Sequence, residues 1–160
     1  MTVKPEVIIF DIDHGFPFAS EFNRVFQARM ESQINDVKFI ADQAKLILLF
    51  SECADQGLKL SQQIKTELSE CPPLFLMSNI VNDSDRVMAY EAGVDDLCDY
   101  IISSDELIAR CWHLIYDQIA NVQLKSQMIH AHEMAHLAME NTSDLGINIQ
   151  FLLDCHACCD

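Results

Sequence analysis

Basic residues are scarce in this 160-residue chain: 10 Lys and Arg stand against 25 Asp and Glu, giving a net charge of −15. Nucleic-acid binding needs a basic footprint that displaces counterions from phosphates, and this balance argues against it. It argues equally against docking on anionic membrane surfaces. Glycine and proline are scarce too, with four of each. Gly15, Gly57, Gly93 and Gly146 cannot be assembled into GxGxxG or into GxxxxGK followed by Ser or Thr. Dinucleotide and P-loop phosphate cradles are thereby excluded. No apolar run approaches the roughly 20 residues of a membrane span. Met1–Glu6 lacks the charged-then-apolar layout of a signal peptide, so the expected location is the cytoplasm. The seven Cys are then expected to be reduced, most of them serving as small buried apolar residues. The sequons at Asn82 and Asn141 carry no weight in that compartment.

What is present is an alternation of short apolar runs and helical patterns. Val7–Phe10, Leu46–Phe50 and Leu74–Met77 are continuous apolar runs, as strands covered on both faces require. Cys98–Ile102 is a weaker fourth run. Between them lie helical spacings: Phe22, Val25, Phe26 and Met30 within Phe18–Met30; Leu60, Ile64 and Leu68 within Leu58–Leu68; Val87, Met88 and Ala92 within Asp85–Ala92. Strands alternating with helices predict a parallel sheet in an α/β fold. Val37–Ile40 also reads as a strand, yet about five residues separate it from the run at Leu46, where a parallel crossover needs a dozen or more. Either a helix is missing there or one of the two strands is misassigned.

Beyond Asp105 no Gly or Pro occurs until Gly146, and Ser103 or Ser104 can cap a helix. The expected helix runs from about Asp105 to about Asn141, with Leu107, Ile108, Cys111, Ile115 and Ile119 packing on the sheet. Leu124, Met128, Ala131, Ala135 and Ala138 then recur at steps of 4, 3, 4 and 3, a narrow coiled-coil-like seam. Such a seam calls for a partner, most simply a second copy of the chain. Asn141-Thr142-Ser143-Asp144 is expected to break the helix before another apolar stretch, Leu145–Leu153. The segment ending at Asp160 reads as a piece of something longer.

Ser78–Arg110, SNIVNDSDRVMAYEAGVDDLCDYIISSDELIAR, resembles the receiver domain of two-component response regulators from fourth strand to fifth helix without a gap. Glu91–Asp96 and Asp105–Arg110 carry most of the likeness, with Leu46–Leu49, Gly57–Leu60 and Val7–Asp13 adding to it. The resemblance spans roughly residues 6 to 120 and is loose between Asp13 and Lys45. It implies a flavodoxin-like (CheY-like) three-layer α/β sandwich with a five-stranded parallel sheet, plus a long C-terminal helix. The implied domains are a receiver-like domain over residues 1–120 and a helical dimerisation or linker extension over 121–160.

Active receivers hold Mg²⁺ with an acidic pair after strand one and a phospho-accepting Asp after strand three, while a hydroxyl after strand four and a Lys after strand five contact the phosphoryl group. Carried over by position, Asp11 matches the first acidic residue, Ile12 replaces its neighbour, and Asp13 follows one step on. Phe50 falls at the acceptor, or Ser51 with the gap placed differently. Ser78 matches the hydroxyl, Tyr100 replaces the Lys, Ile101 replaces the Pro after it, and Leu97 stands at the switch aromatic. The resemblance with these departures implies a pseudo-receiver: a non-enzymatic signalling module, without cofactor or metal, that acts through protein interaction and homodimerisation. Its output face would be Asp85–Tyr90 and Asp99–Leu114.

Two rival motifs compete with that reading. Ile8–Asp13 also looks like the hydrophobic-DxD motif of haloacid-dehalogenase-type phosphatases, with Asp11 as nucleophile and Asp13 as acid and base. Ser78 would fit that family's second motif, but no Lys lies between Lys65 and Lys125 for the third. His132-Glu133-Met134-Ala135-His136 is a formal HExxH zinc motif, whose third ligand would have to be Asp144, Cys155 or His156. The terminal Cys155-His156-Ala157-Cys158-Cys159 holds a lone CxxC, read as incidental thiols.

Overall fold

The structure, a computed structural model, describes residues 3–34, 37, 41, 43–79 and 82–157, with side chains placed through residue 138. Among the described residues five strands form one parallel sheet: β1 (Glu6–Asp11), β2 (Gln27–Glu31), β3 (Leu46–Cys53), β4 (Leu74–Asn79) and β5 (Asp96–Cys98). Their order is β2-β1-β3-β4-β5, the doubly wound flavodoxin-like arrangement. The helices are α1 (Ala19–Val25), α2 (Ala54–Glu67), α3 (Asp83–Glu91) and α4 (Ser104–Ala157). Two compact units divide the chain, Met1–Gln118 and Ile119–Asp160, and the sheet belongs to the first.

The central strands read as continuous apolar runs because both faces are covered. Ile8, Phe10, Ile47, Leu49, Leu74 and Leu76 enter one core with Ile34, Val37, Ile64 and Ala89. Val7, Ile9, Leu46, Leu48, Phe75 and Met77 enter the other with Phe22, Phe26, Leu107, Cys111 and Ile115. The period of two along each strand sends neighbouring side chains to opposite layers.

The first expected helix is half as long as its spacing suggested. Phe26 leaves the helical region with φ −112° and ψ 164°, and Gln27–Glu31 pairs with Glu6–Phe10 as an edge strand. Gln, Ala, Arg, Met and Glu all favour helix intrinsically, so only the ladder with β1 decides their state. This also corrects the assignment at Val37–Ile40. Residues 38–40 lie outside the described residues, but Val37 is helical and its carbonyl accepts the Ala41 N–H at 2.9 Å. With β2 at Gln27–Glu31, residues 32–45 are available for the crossover that the earlier spacing denied.

α3 shows both helix-end devices. The Asn82 side chain accepts the Asp85 N–H at 2.9 Å, and Gly93 at φ 89° ends the helix. Val94 N–H donates to Ala89 O and Gly93 N–H to Tyr90 O, each at 3.0 Å, which is the Schellman pattern. β5 follows at once, so the strand is Asp96–Cys98 rather than Cys98–Ile102, and residues 99–101 lie beyond it. Ser103 caps α4, accepting the Glu106 N–H at 3.2 Å. The expected break at residues 141–144 is absent, and the backbone stays helical to Ala157. No proline stands in its way, and a mid-helix Gly such as Gly146 costs only ~1 kcal/mol.

Candidate functional site

In an open parallel sheet the loops after neighbouring strands diverge where the strand order reverses, leaving a crevice at the C-terminal edge. Here that point lies between β1 and β3, and it gathers Asp11, Ile12, Asp13, Phe50, Ser51, Ser78 and Tyr100 around one edge. Asp11 stands beside Phe50 in the β1–β3 register, and Ser51 beside Ser78 in the β3–β4 register.

Asp11 is engaged locally: its two carboxylate oxygens accept the Gly15 N–H at 3.0 Å and the Phe16 N–H at 3.2 Å. The turn is tight enough to put His14 at φ 55°, a region non-glycine residues rarely visit. Each oxygen of the phosphatase-type nucleophile thus accepts one backbone amide. Ile12 stays beside the sheet edge, where its N–H donates to Phe50 O at 3.3 Å. Asp13 reaches across instead, accepting the Glu52 N–H at 2.7 Å.

Phe50 is 4% exposed and lies among rings: Phe16 at 6.0 Å and Tyr100 at 5.9 Å between centroids. Phe16 continues to Phe22, Phe26, Trp112 and Tyr116, so an aromatic chain leads from this edge to α4. Tyr100 donates its hydroxyl to Glu52 O at 2.6 Å. Burial, then the nearby Glu52 charge, push its phenol pKa above the ordinary value, so it remains a donor.

Ser51 and Ser78 face the opposite core. Ser51 is fully buried and donates to Cys53 O at 3.1 Å. Ser78 is equally buried, and its Oγ has no hydrogen-bond partner among the described residues. Gly57 lets α2 close over this side: a Cβ there would sit 2.9 Å from Leu76 Cδ1.

Strand β5 is anchored from behind. Arg110 donates to both oxygens of Asp96 and, at 2.9 Å, to Leu97 O, with its guanidinium 5.3 Å from the Phe75 centroid. Burial pulls the Arg110 pKa down, but the bond to Asp96 and its charge outweigh burial and the net direction is up. Burial pushes the Cys98 thiol to about 12, and burial with the neighbouring Cys98 raises Cys111 too.

The other candidate residues lie elsewhere. His132, Glu133 and His136 are exposed on α4, and among the described residues no three His, Cys, Asp or Glu side chains are placed to share a metal ion. The side chains of Asp144, Cys155 and His156, and residues 158–160, lie outside the described residues. Leu124 and Met128 are 57% and 66% exposed, and Ala131, Ala135 and Ala138 are exposed beside them. Sequence reasoning missed Phe16 and the Glu52 peptide as members of the edge. The Phe16-Pro17-Phe18 run just after the DxD was a signal for the first; nothing marked the second, whose hydrogen bonds at the edge come from its backbone.

No protein-family model matches the sequence, and no curated protein matches it. Solved structures do. An orphan response regulator of H. pylori superposes with a TM-score of 0.56 at 20% identity, over 69% of this chain and 96% of that one. A response regulator from Thermotoga maritima gives 0.59 at 18%, covering 71% and 99%. The receiver domain of the Francisella response regulator 1452 gives 0.61 at 18%, covering 71% and 98%. Among the described helices none is long and apolar enough to cross a membrane. Sheet order, helix placement and these neighbours agree: the chain has the fold of response-regulator receiver domains, with a long helix at its C-terminal end.

Proposed function

We propose that this chain is a pseudo-receiver, a signalling module that has lost aspartyl phosphorylation and works by binding protein partners and a second copy of itself. The observation that carries the first half is Phe50. An active receiver needs a carboxylate at this position to attack a phosphoryl group, with a cation and a Lys to neutralise its charge. Here the position holds a buried ring packed between Phe16 and Tyr100, and Tyr100 occupies the Lys position. Ser51, the other candidate, turns to the opposite core. The test is to offer acetyl phosphate, and separately beryllofluoride, with Mg²⁺. No adduct is expected; a stoichiometric one overturns the reading.

The second half is supported by α4. Ile119–Ala138 exposes Leu124, Met128, Met134 and Leu137 at 52–66%, an unusual density for a helix in water. In a chain of net charge −15 this segment carries one Lys (Lys125) and one Glu (Glu133), so two copies could align there without the repulsion that the rest of the surface imposes. The receiver-type output face, Asp85–Tyr90 with Asp99–Leu114, offers Val87 at 57%, Tyr90 at 56% and Ile101 at 92% exposure to a partner. Light scattering on the full chain should report a dimer, and Leu124→Glu with Met128→Glu a monomer. A monomeric wild type removes the dimer.

A further inference from the structure

We propose that Asp13, Glu52 and Tyr100 form a built-in clasp that holds the loop after β5 against the end of β3, in the place where an active receiver uses a bound ligand. The proposal rests on the pseudo-receiver reading and says how that module is set without phosphorylation. The loops after β1 and β5 converge on the end of β3 at the C-terminal edge of the sheet, and they are tied at the backbone of a single residue, Glu52. The Glu52 N–H donates to Asp13 Oδ2 at 2.7 Å, and the Glu52 carbonyl accepts from the Tyr100 hydroxyl at 2.6 Å. Both bonds are at the short end of the normal range. They span 39 and 48 residues of sequence, so neither is a local turn contact.

The surroundings are arranged to close this clasp. Asp11 holds the Gly15 and Phe16 amides, and His14 takes its left-handed conformation, in the turn that also carries Asp13. Phe16, Phe50 and Tyr100 lie ring to ring beside the clasp. Phe16 and Phe50 are 8% and 4% exposed and floor the clasp, while the two clasp bonds themselves lie on the exposed rim. The substitution at residue 100 makes chemical sense in this setting. The neutral phenol there is satisfied by a carbonyl that the chain itself supplies. The loop so fixed carries Ile101, the residue after Tyr100 and 92% exposed on the output face. The clasp therefore gives the output loop one setting, with no ligand required.

Hydrogen exchange on the full-length chain tests this. Tyr100→Phe keeps the ring contacts and removes only the hydroxyl. Asp13→Ala removes the other bond, and Asp13→Asn keeps an acceptor oxygen. Tyr100→Phe and Asp13→Ala are each expected to speed exchange at the Tyr100, Ile101 and Ile102 amides roughly three- to tenfold, with the amides of β1 and β4 as an unchanged reference. Asp13→Asn is expected to stay within about twofold of wild type, since the bond is retained. Unchanged exchange at those amides in Tyr100→Phe overturns the clasp. So does a response to Tyr100→Phe with none to Asp13→Ala, because the two bonds would then not act as a unit. Wild type is measured in parallel with beryllofluoride and Mg²⁺. A change in the same amides there would count against the pseudo-receiver reading, separately from the clasp.

Discussion

Ser78→Ala should make this protein more stable, the opposite of what a buried serine usually implies. Among the described residues three polar ones are fully buried: Ser51, Ser61 and Ser78. Ser61 donates to Gly57 O at 2.8 Å and Ser51 to Cys53 O at 3.1 Å, but Ser78 Oγ has no partner among the described residues. A buried hydroxyl without a partner is destabilising by about 1–3 kcal/mol relative to its hydrated state. Removing it leaves a void of about 10 Å³, which costs about 0.2 kcal/mol at ~24 cal/mol per Å³. The net expectation is a gain of about 1–3 kcal/mol, or roughly 4–14 °C in Tm for a domain near 100 residues. Ser51→Ala, its register neighbour, is the control and should lose about 0.5–1.5 kcal/mol with its hydrogen bond. Both are read as shifts in the midpoint of urea unfolding at pH 7, provided the slope is unchanged. A loss of 1 kcal/mol or more in Ser78→Ala would refute the reasoning, since the hydroxyl must then have a partner.

Two further outcomes follow from the same structure. Arg110→Ala removes three hydrogen bonds and the contact with Phe75, and should lose about 2–3 kcal/mol in the same assay; that estimate is discounted because the Arg110 side chain is 32% exposed. A loss below about 0.5 kcal/mol would reduce the Asp96 pair to an ordinary surface ion pair. The thiol of Cys98 is raised from 9.0 to about 12, so the folded state favours its protonated form. Its stabilising effect is complete below about pH 9 and is lost between pH 9 and 12, at up to about 1.4 kcal/mol per pH unit. Alkaline unfolding should therefore be shallower in Cys98→Ala; an unchanged slope removes the thiol as its cause.

Much of the fold was legible because its core strands are covered on both faces and therefore read as unbroken apolar runs. Val7–Phe10, Leu46–Phe50 and Leu74–Met77 each became a strand. The misreadings share one cause. Gln27–Glu31 carries helix-forming residues and no apolar run, and it became a strand only because β1 offers it a ladder. Cys98–Ile102 reads as β-prone, yet pairing starts at Asp96, directly after the Gly93 turn, and leaves Ile101 in the open. At the candidate site the resemblance gave the positions to look at, Ile12, Tyr100 and either Phe50 or Ser51. What surrounds them was not plain.

By itself the sequence determined the charge, the excluded phosphate-binding motifs, the alternating α/β pattern and the identity of each residue at the sheet edge. Those are properties of single positions or of local periodicity. Tertiary structure alone decided that Asp13 and Tyr100 meet on the backbone of Glu52, that Phe16 joins the ring cluster, and that Ser78 Oγ has no partner among the described residues. Each of those depends on residues tens of positions apart being brought within 3 to 6 Å of one another or held beyond reach, and no local pattern encodes that distance.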